Sequence, residues 1–188
     1  MKLGLRRRYF KLLGNLGLLR FNLIRFLYGF DSANNYLKRA NKYAVIPILK
    51  LNKATIGKLC DIETGITYHN CKKDYSNLII GDNCHIGKNC FLDLRDKILI
   101  GNNVTISMNT ILLTHQDFGK SQLSGIYHPK NEKLIIGDNV YIGASSTLLM
   151  GIEIGNNSLI AAGSIVVDNV ASRSIVGGVP GRIIKELN

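Results

Sequence analysis

Ile136-Gly137-Asp138-Asn139-Val140-Tyr141-Ile142-Gly143-Ala144-Ser145-Ser146-Thr147-Leu148 decides the fold. An aliphatic residue recurs at every sixth position, Ile136, Ile142 and Leu148, and the rule continues through Ile154, Ile160 and Val166. A helix repeating at 3.6 or a strand alternating at 2 would bring glycines and asparagines into the apolar stripe, so neither fits. A parallel β-helix built from hexapeptides does fit. Each hexad then supplies a short strand with its aliphatic side chain inward, and Gly, Asp or Asn takes the turn dihedrals.

Working outward, the rule starts at Ile56 and Ile62, lapses from Tyr68 to Asn77, and resumes at Ile80 and Ile86. Two extra residues near Leu94 to Lys97 shift its phase before Ile100 and Ile106. A polar segment, 115–133, then breaks it, yet Leu112 and Ile136 are 24 residues apart, a multiple of six. The segment is therefore expected as an extruded loop that leaves and re-enters the coil at one corner, and long excursions from a regular scaffold are often functional. Three hexads per coil give about six coils over residues 54–170.

The chain has 188 residues and a formal charge of +11 from 24 basic and 13 acidic residues. Twelve of the bases and a single acid, Asp31, lie in residues 1–53, so the remainder is balanced at twelve each. That N-terminal segment has its own logic. Residues 6–30 are expected as an amphipathic helix, with Tyr9, Leu12, Leu13, Leu16, Leu19, Leu23, Phe26, Leu27 and Phe30 on one side and Arg8, Lys11, Asn15, Asn22 and Arg25 on the other; Arg20 is an exception on the apolar side. Lys11, Arg20 and Arg25 interrupt every uncharged run below the roughly 20 residues of a membrane span. No export signal is recognisable. A basic helix with Phe and Leu opposite has the composition of an interfacial membrane helix, and the alternative is that its apolar face packs on the body or on a partner subunit. Asp31-Ser32 is expected to end the helix, with a second short helix reaching Lys42, and Tyr43 to Leu51 reads as an extended segment interrupted by Pro47. No nucleic-acid motif accompanies the charge.

Four cysteines form no CxxC pair, which argues against structural zinc and redox motifs. Cys60, Cys84 and Cys90 each follow an isoleucine by four residues, a small inward corner position. Free thiols of this kind suit a reducing cytoplasm.

The runs Ile-Gly-Asp-Asn-Val-Tyr-Ile-Gly-Ala from Ile136, Gly-Ile-Glu-Ile-Gly-Asn-Asn-Ser from Gly151, Ala-Gly-Ser-Ile-Val from Ala162 and Gly-Gly-Val-Pro-Gly-Arg-Ile-Ile-Lys from Gly177 are more specific than a generic β-helix. Over about residues 54–188 the chain resembles the hexapeptide-repeat acyltransferases, most of all the maltose/galactoside O-acetyltransferases and their capsule and exopolysaccharide relatives. The resemblance implies a left-handed parallel β-helix over 54–176, a cofactor-binding tail at 177–188, a homotrimer, and acetyl-CoA bound between neighbouring subunits. It further implies O-acetylation of a saccharide; the localised positive charge of residues 1–53, outside the resemblance, points to an acceptor near the cytoplasmic face of the membrane, a cell-surface polysaccharide or its precursor.

Residue by residue, the resemblance places a general base at His115, directly after Ile111-Leu112-Leu113-Thr114. A sugar hydroxyl is a poor nucleophile, and a neutral imidazole within hydrogen-bond reach can take its proton. His128 is the rival in the same loop, and Asp117 or a backbone carbonyl can orient the ring. For the pantetheine arm and phosphates the resemblance points to Tyr141, Gly143, Ala144, Ala162, Gly163, Ser164, Arg182 and Lys185. The departures are Tyr141 for a more usual Trp, Ala161 for a Gly, and Asp168 where a Lys is common. On the acceptor side His85, Asp93, Arg95 and Asp117 are expected, although Asp93 and Arg95 can equally form a corner salt bridge. No metal is expected: His69, His85, His115 and His128 lack the paired-histidine spacing of γ-carbonic anhydrases. Serine or another small-molecule acetyltransferase, and a non-catalytic assembly module, are the competing readings.

Overall fold

The computed structural model describes residues 2–187, with the side chains of 2, 3 and 5–7 outside the description. Two helices lead into a parallel β-solenoid with three faces. The first face stacks Thr55–Ile56, Leu78–Ile80, Ile98–Ile100, Leu134–Ile136 and Glu153–Ile154. A second stacks Asp61–Ile62, His85–Ile86, Thr105–Ile106, Tyr141–Ile142, Leu159–Ile160 and Ser174–Gly177. The third stacks Thr67–His69, Phe91–Asp93, Ile111–Leu112, Thr147–Leu148 and Ile165–Val166. Five full coils result, and a partial sixth is begun by Val170, which bridges Ile154, and continued by Ser174–Gly177. The expected six is thus five and a fraction.

The sixfold ruler is the core. Ile80, Ile100, Ile136 and Ile154 are in register on the first face, and Ile62, Ile86, Ile106, Ile142 and Ile160 on the second, all buried. Parallel strands spaced ~4.8 Å apart make each column continuous. The turn between these faces runs on asparagine. Asn83, Asn103, Asn139 and Asn157 all have left-handed φ near 57°, a region Asn tolerates, and each Nδ2 donates to the Oδ1 of the next at 2.9 to 3.1 Å. At most inward corner positions the polar atoms are satisfied across coils; the buried Ser174 hydroxyl, in the last partial coil, has no partner among the described residues. Ser146 Oγ donates to the Ala161 carbonyl at 3.0 Å, and the thiols of Cys60, Cys84 and Cys90 play the same part toward Gly81, Gly101 and Ser107 at 3.1 to 3.2 Å. Burial, the largest effect, pushes the Cys84 and Cys90 thiols up, as expected of small inert core side chains.

The N-terminal segment departs from expectation in its boundaries and at residues 43–51. Helix α1, Lys2–Leu37, is two helices joined across a kink at Gly29 (φ 82°, ψ 175°), as the expected pair requires, with the break two residues before Asp31-Ser32 and the second piece ending at Leu37 rather than Lys42. Ser32 Oγ donates to the Tyr28 carbonyl across the break, at 3.0 Å. Tyr43 to Leu51 is not extended but lies in helix α2, Lys42–Leu51, capped by Asn41, whose side chain accepts from Tyr43 N. Ala44, Val45, Ile48 and Leu49 make one buried helical stripe, and that stripe outweighs Pro47. Helix α1 meets α2 through a face of small residues. Gly14, Gly17 and Phe21 are buried against α2, and a Cβ at Gly14 would come 2.7 Å from the Tyr43 carbonyl oxygen. Most of the expected apolar face, Leu12 to Leu27, is exposed, with Phe26 at 86%.

After Gly29 the helix closes the open end of the first coil. Asn34 Nδ2 donates to the Tyr68 carbonyl at 2.8 Å and its Oδ1 accepts from the Tyr75 hydroxyl at 3.1 Å. Fully buried Tyr75 packs between Phe30 and Tyr68, with ring centroids 5.4 Å from each. The stretch where the ruler lapses therefore supplies the plug, and helices and coils share one continuous core. At the other end Arg182–Glu186, expected within a tail, forms a strand antiparallel to Ser174–Gly177.

Candidate functional site

The three failures of the ruler stack on one corner of the solenoid. The lapse after His69, the two added residues after Asp93 and the excursion after Leu112 all fall between the third face and the first, in coils one, two and three. His69 pairs with Asp93, and Leu92 with Leu112. One coil spacing therefore separates Asn70, Asp93 and His115 in turn.

Asp93 is the centre of this cluster. Its side chain has no exposed surface, and its Oδ2 is 2.5 Å from His115 Nδ1, whose ring is 21% exposed. The same oxygen accepts from Thr114 N at 3.0 Å, and Oδ1 accepts from Asn70 Nδ2 at 2.8 Å. Thr114 Oγ1 lies 2.8 Å from the Asp93 carbonyl and 3.0 Å from Oδ2, and accepts from Asp96 N at 3.0 Å. Burial pushes the Asp93 carboxyl up, but the hydrogen bonds from His115, Asn70 and Thr114 outweigh it and hold the group below the usual carboxylate range. An ionised Asp93 requires a proton on His115 Nδ1. The Asn70 amide, 3.4 Å from that nitrogen, is itself a donor and so serves the carboxylate instead. Nε2 is left with its lone pair free, the tautomer a general base needs.

The excursion is a short ribbon rather than a free loop. His115–Gln116 pairs antiparallel with Lys130–Asn131, Glu132 N donates to the Thr114 carbonyl at 2.9 Å, and Phe118 and Tyr127 pack at 5.3 Å. His115 stands at its root, fixed by strand pairing, while His128 is exposed.

A second set of expected residues lies on the second face. Tyr141, His85, Lys88, Ser107, Met108 and Glu63 line a cleft of about 430 Å³. Exposed Tyr141 accepts from Ser107 Oγ at 3.1 Å, and Met108 is exposed beside it. His85 Nδ1 is 3.2 Å from Asp61, which also pairs with Lys42. His85 is thus grouped with the cleft and not with His115.

The family model described as hexapeptide repeat of succinyl-transferase matches residues 77–114 and 133–167, and its gap coincides with the excursion. That match covers less than half of the chain. Galactoside O-acetyltransferase of Escherichia coli (strain K12) is 34% identical over 120 residues, which cover 57% of this chain and 56% of that relative. The chain therefore spans little more than half the length of that relative. Among solved structures, a maltose O-acetyltransferase from Clostridium difficile 630 superposes with a TM-score of 0.67 at 29% identity, covering 97% of this chain and 86% of that one. A galactoside acetyltransferase in complex with coenzyme A gives 0.65 at 25% identity, covering 96% and 82%.

The structure distributes the remaining expected residues unevenly. Asp117, a candidate for orienting His115, accepts from Gly119 N at 2.7 Å within the loop, and buried Asp93 takes the orienting position. Arg95 N approaches Asp93 Oδ1 at 3.4 Å, and its buried Nε has no partner among the described residues. Gly143 and Ser164 are buried, with Gly143 N donating to the Ile160 carbonyl and Ser164 Oγ to that of Ala161, whereas Ala162 and Gly163 are exposed and Ala144 partly so. Arg182 and Lys185 are exposed, and Arg182 lies 3.5 Å from Asp168. Asn70 and Thr114 had been given no role from sequence.

Proposed function

We propose that this protein is an acetyl-CoA-dependent O-acetyltransferase acting on a saccharide hydroxyl, with His115 as general base. The observation that carries the reading is the 2.5 Å contact of His115 Nδ1 with buried Asp93, which leaves Nε2 as a free acceptor at the root of the excursion. The saccharide acceptor is supported by the likeness to maltose and galactoside enzymes. A cell-surface polysaccharide or its precursor, met on the cytoplasmic side, is the acceptor that suits the basic N-terminal helix.

The donor fits the second-face cleft. Exposed Met108 and Tyr141 offer an apolar wall to a pantetheine arm, exposed backbone at Ala162 and Gly163 continues it, and Arg182 and Lys185 supply cations for phosphates. Acetyl-CoA brings the activated acetyl thioester. His115 Nε2 takes the acceptor's hydroxyl proton as that oxygen bonds to the carbonyl carbon. As the C–S bond breaks, the same nitrogen returns the proton to the departing sulfur. Asp93 keeps the imidazole in the productive tautomer and stabilises its charged form, as a buried carboxylate does in a catalytic triad. No covalent enzyme intermediate is required.

His115 and the Tyr141 cleft belong to different sides of one solenoid, so a single chain does not close a site around both. A homotrimer with the donor between neighbouring copies resolves the separation. We further infer peripheral attachment to the membrane surface through α1. The test is turnover by the His115→Ala variant, with acetyl-CoA and oligosaccharide or serine acceptors, alongside calorimetric coenzyme A binding. The reading expects a loss of about 10²–10⁴-fold with donor binding retained. Near-normal turnover removes His115 from the mechanism, and preference for serine removes the saccharide.

A further inference from the structure

Helix α1 carries two apolar faces, and only one has a partner. Leu12, Leu16, Leu19, Leu23, Phe26 and Leu27 are exposed on the side turned away from α2. At 3.6 residues per turn they fall within an arc of about 100°. Exposed Arg8 and Lys11 border that arc on one side and Arg20 on the other.

Arg20 also belongs to a pocket of about 630 Å³, lined further by Ser32, Asn35, Tyr36, Lys38 and Arg39. Its guanidinium lies over the Tyr36 ring, 5.2 Å from the centroid. Arg20, Lys38 and Arg39 have no carboxylate partner among the described residues. The backbone that presents them is tied to the solenoid: Gly65 N donates to the Lys38 carbonyl at 3.1 Å, and Arg39 N to that of Tyr36 at 2.9 Å. Three cations held around one concavity, with no acid to neutralise them, favour phosphate oxygens.

We propose that the pocket and the exposed face together dock the protein on an anionic lipid bilayer, with a lipid phosphate among Arg20, Lys38 and Arg39 and the acyl region against Leu16, Leu23 and Phe26. The proposal deepens the peripheral attachment inferred above and rests on it. Charge selects the occupant. A second copy would bring the same +11 to the contact, and its balanced remainder has no net negative charge to offer. An anionic bilayer attracts each basic residue near its surface and accepts the apolar arc at once.

The experiment is flotation of the full chain with phosphatidylcholine vesicles and with vesicles that also contain phosphatidylglycerol. Binding is expected only to the second kind. A triple variant, Arg20→Gln, Lys38→Gln and Arg39→Gln, should bind on the order of 100-fold more weakly. Leu16→Ser, Leu23→Ser and Phe26→Ser together should also abolish flotation, with circular dichroism unchanged. Equal binding to both vesicles, or undiminished binding by the triple glutamine variant, overturns the proposal. So does a fall in molar mass by light scattering for the serine variant with flotation intact, which assigns the face to a second copy. Acetyl transfer to a soluble oligosaccharide, measured on the same proteins, is expected to be unchanged. Absent turnover in all of them, wild type included, with flotation intact, counts against the enzymatic reading and not against docking.

Discussion

His115 Nδ1 lies 2.5 Å from Asp93 Oδ2, and the two residues come from consecutive coils of the solenoid. In the proposed mechanism the contact makes Asp93 a positioning residue that acts through the imidazole. Asp93→Asn keeps the volume but can present an N–H to Nδ1, favouring the wrong tautomer. We expect kcat to fall by about 10²–10⁴-fold with KM for acetyl-CoA little changed. A matching rise in that KM with kcat preserved would assign Asp93 to ground-state binding instead.

Asn70 and Thr114 hold Asp93 from the other sides. Asn70→Ala removes the closer donor to Oδ1 and leaves a buried carboxylate oxygen with only the long contact from Arg95 N at 3.4 Å. A loss of about 1–3 kcal/mol in stability is expected, with a smaller drop in kcat than for Asp93→Asn. Denaturant unfolding and turnover on the same protein check both, and an unchanged midpoint would show that water replaces the amide.

The acid limb of stability follows from two carboxylates. Asp93 is held below the ordinary range, and Asp74, hydrogen-bonded by Lys53 and Ser76, is lowered to about 2. A depressed folded-state pKa means that the unfolded chain binds the proton more tightly, so these groups stabilise fully above about pH 4 to 5 and lose that contribution as pH falls toward their folded values. Urea unfolding between pH 3 and pH 7 should show this decline, and Asp74→Asn should flatten it. An identical slope in the variant would remove Asp74 from the account. Because Lys53 is exposed, the effect of Asp74 is expected to be small and salt-sensitive.

Asn103 separates two contributions to the turn ladder. Its φ of 56° disfavours any residue with a Cβ that lacks a polar tip, and its Nδ2 donates to Asn139 at 3.0 Å. Asn103→Ala should cost about 1–2 kcal/mol from the dihedral alone, whereas Asn103→Gly should lose only its two exposed ladder bonds, the one it donates to Asn139 and the one it accepts from Asn83. Equal destabilisation of the two would place the whole effect in the ladder.

Gly17 tests the helix contact. On a solvent-facing helix Gly→Ala gains up to about 1 kcal/mol. Here the new Cβ would collide with Ala44 Cβ, so Gly17→Ala should instead destabilise by about 1–3 kcal/mol. A raised melting temperature would mean that α1 stands farther from α2.

Ile136 to Val166 was legible because a period of six has one compact structural solution. Asn70, Asp93 and His115 were not legible as a group, since the intervals between them, 23 and 22 residues, are not multiples of six. Their alignment is restored only by the irregular corners. Asp93 accordingly read as a sugar ligand or a corner salt bridge, and its oxygens are spent on His115, Asn70 and Thr114. Helix α2 was missed because Pro47 outweighed the 44, 45, 48, 49 stripe in a purely local reading. In α1 the leucine count marked the exposed apolar face, whereas the face that meets α2 is set by Gly14 and Gly17, whose lack of side chains lets α2 approach.

A solenoid advances by a fixed pitch of ~4.8 Å per coil, which turns reach into the limiting quantity at the irregular corner. Asp93 occupies the middle rung, one pitch from its neighbours, so a short carboxylate touches both the amide below and the imidazole above. Two pitches, nearly 10 Å, separate the backbones of the outer rungs, yet the side chains lean together over Asp93 until the Asn70 amide is 3.4 Å from His115 Nδ1. A coil inserted anywhere above His115 would lengthen the rod and leave that spacing untouched, whereas one inserted between residues 70 and 115 would uncouple the rungs at a stroke.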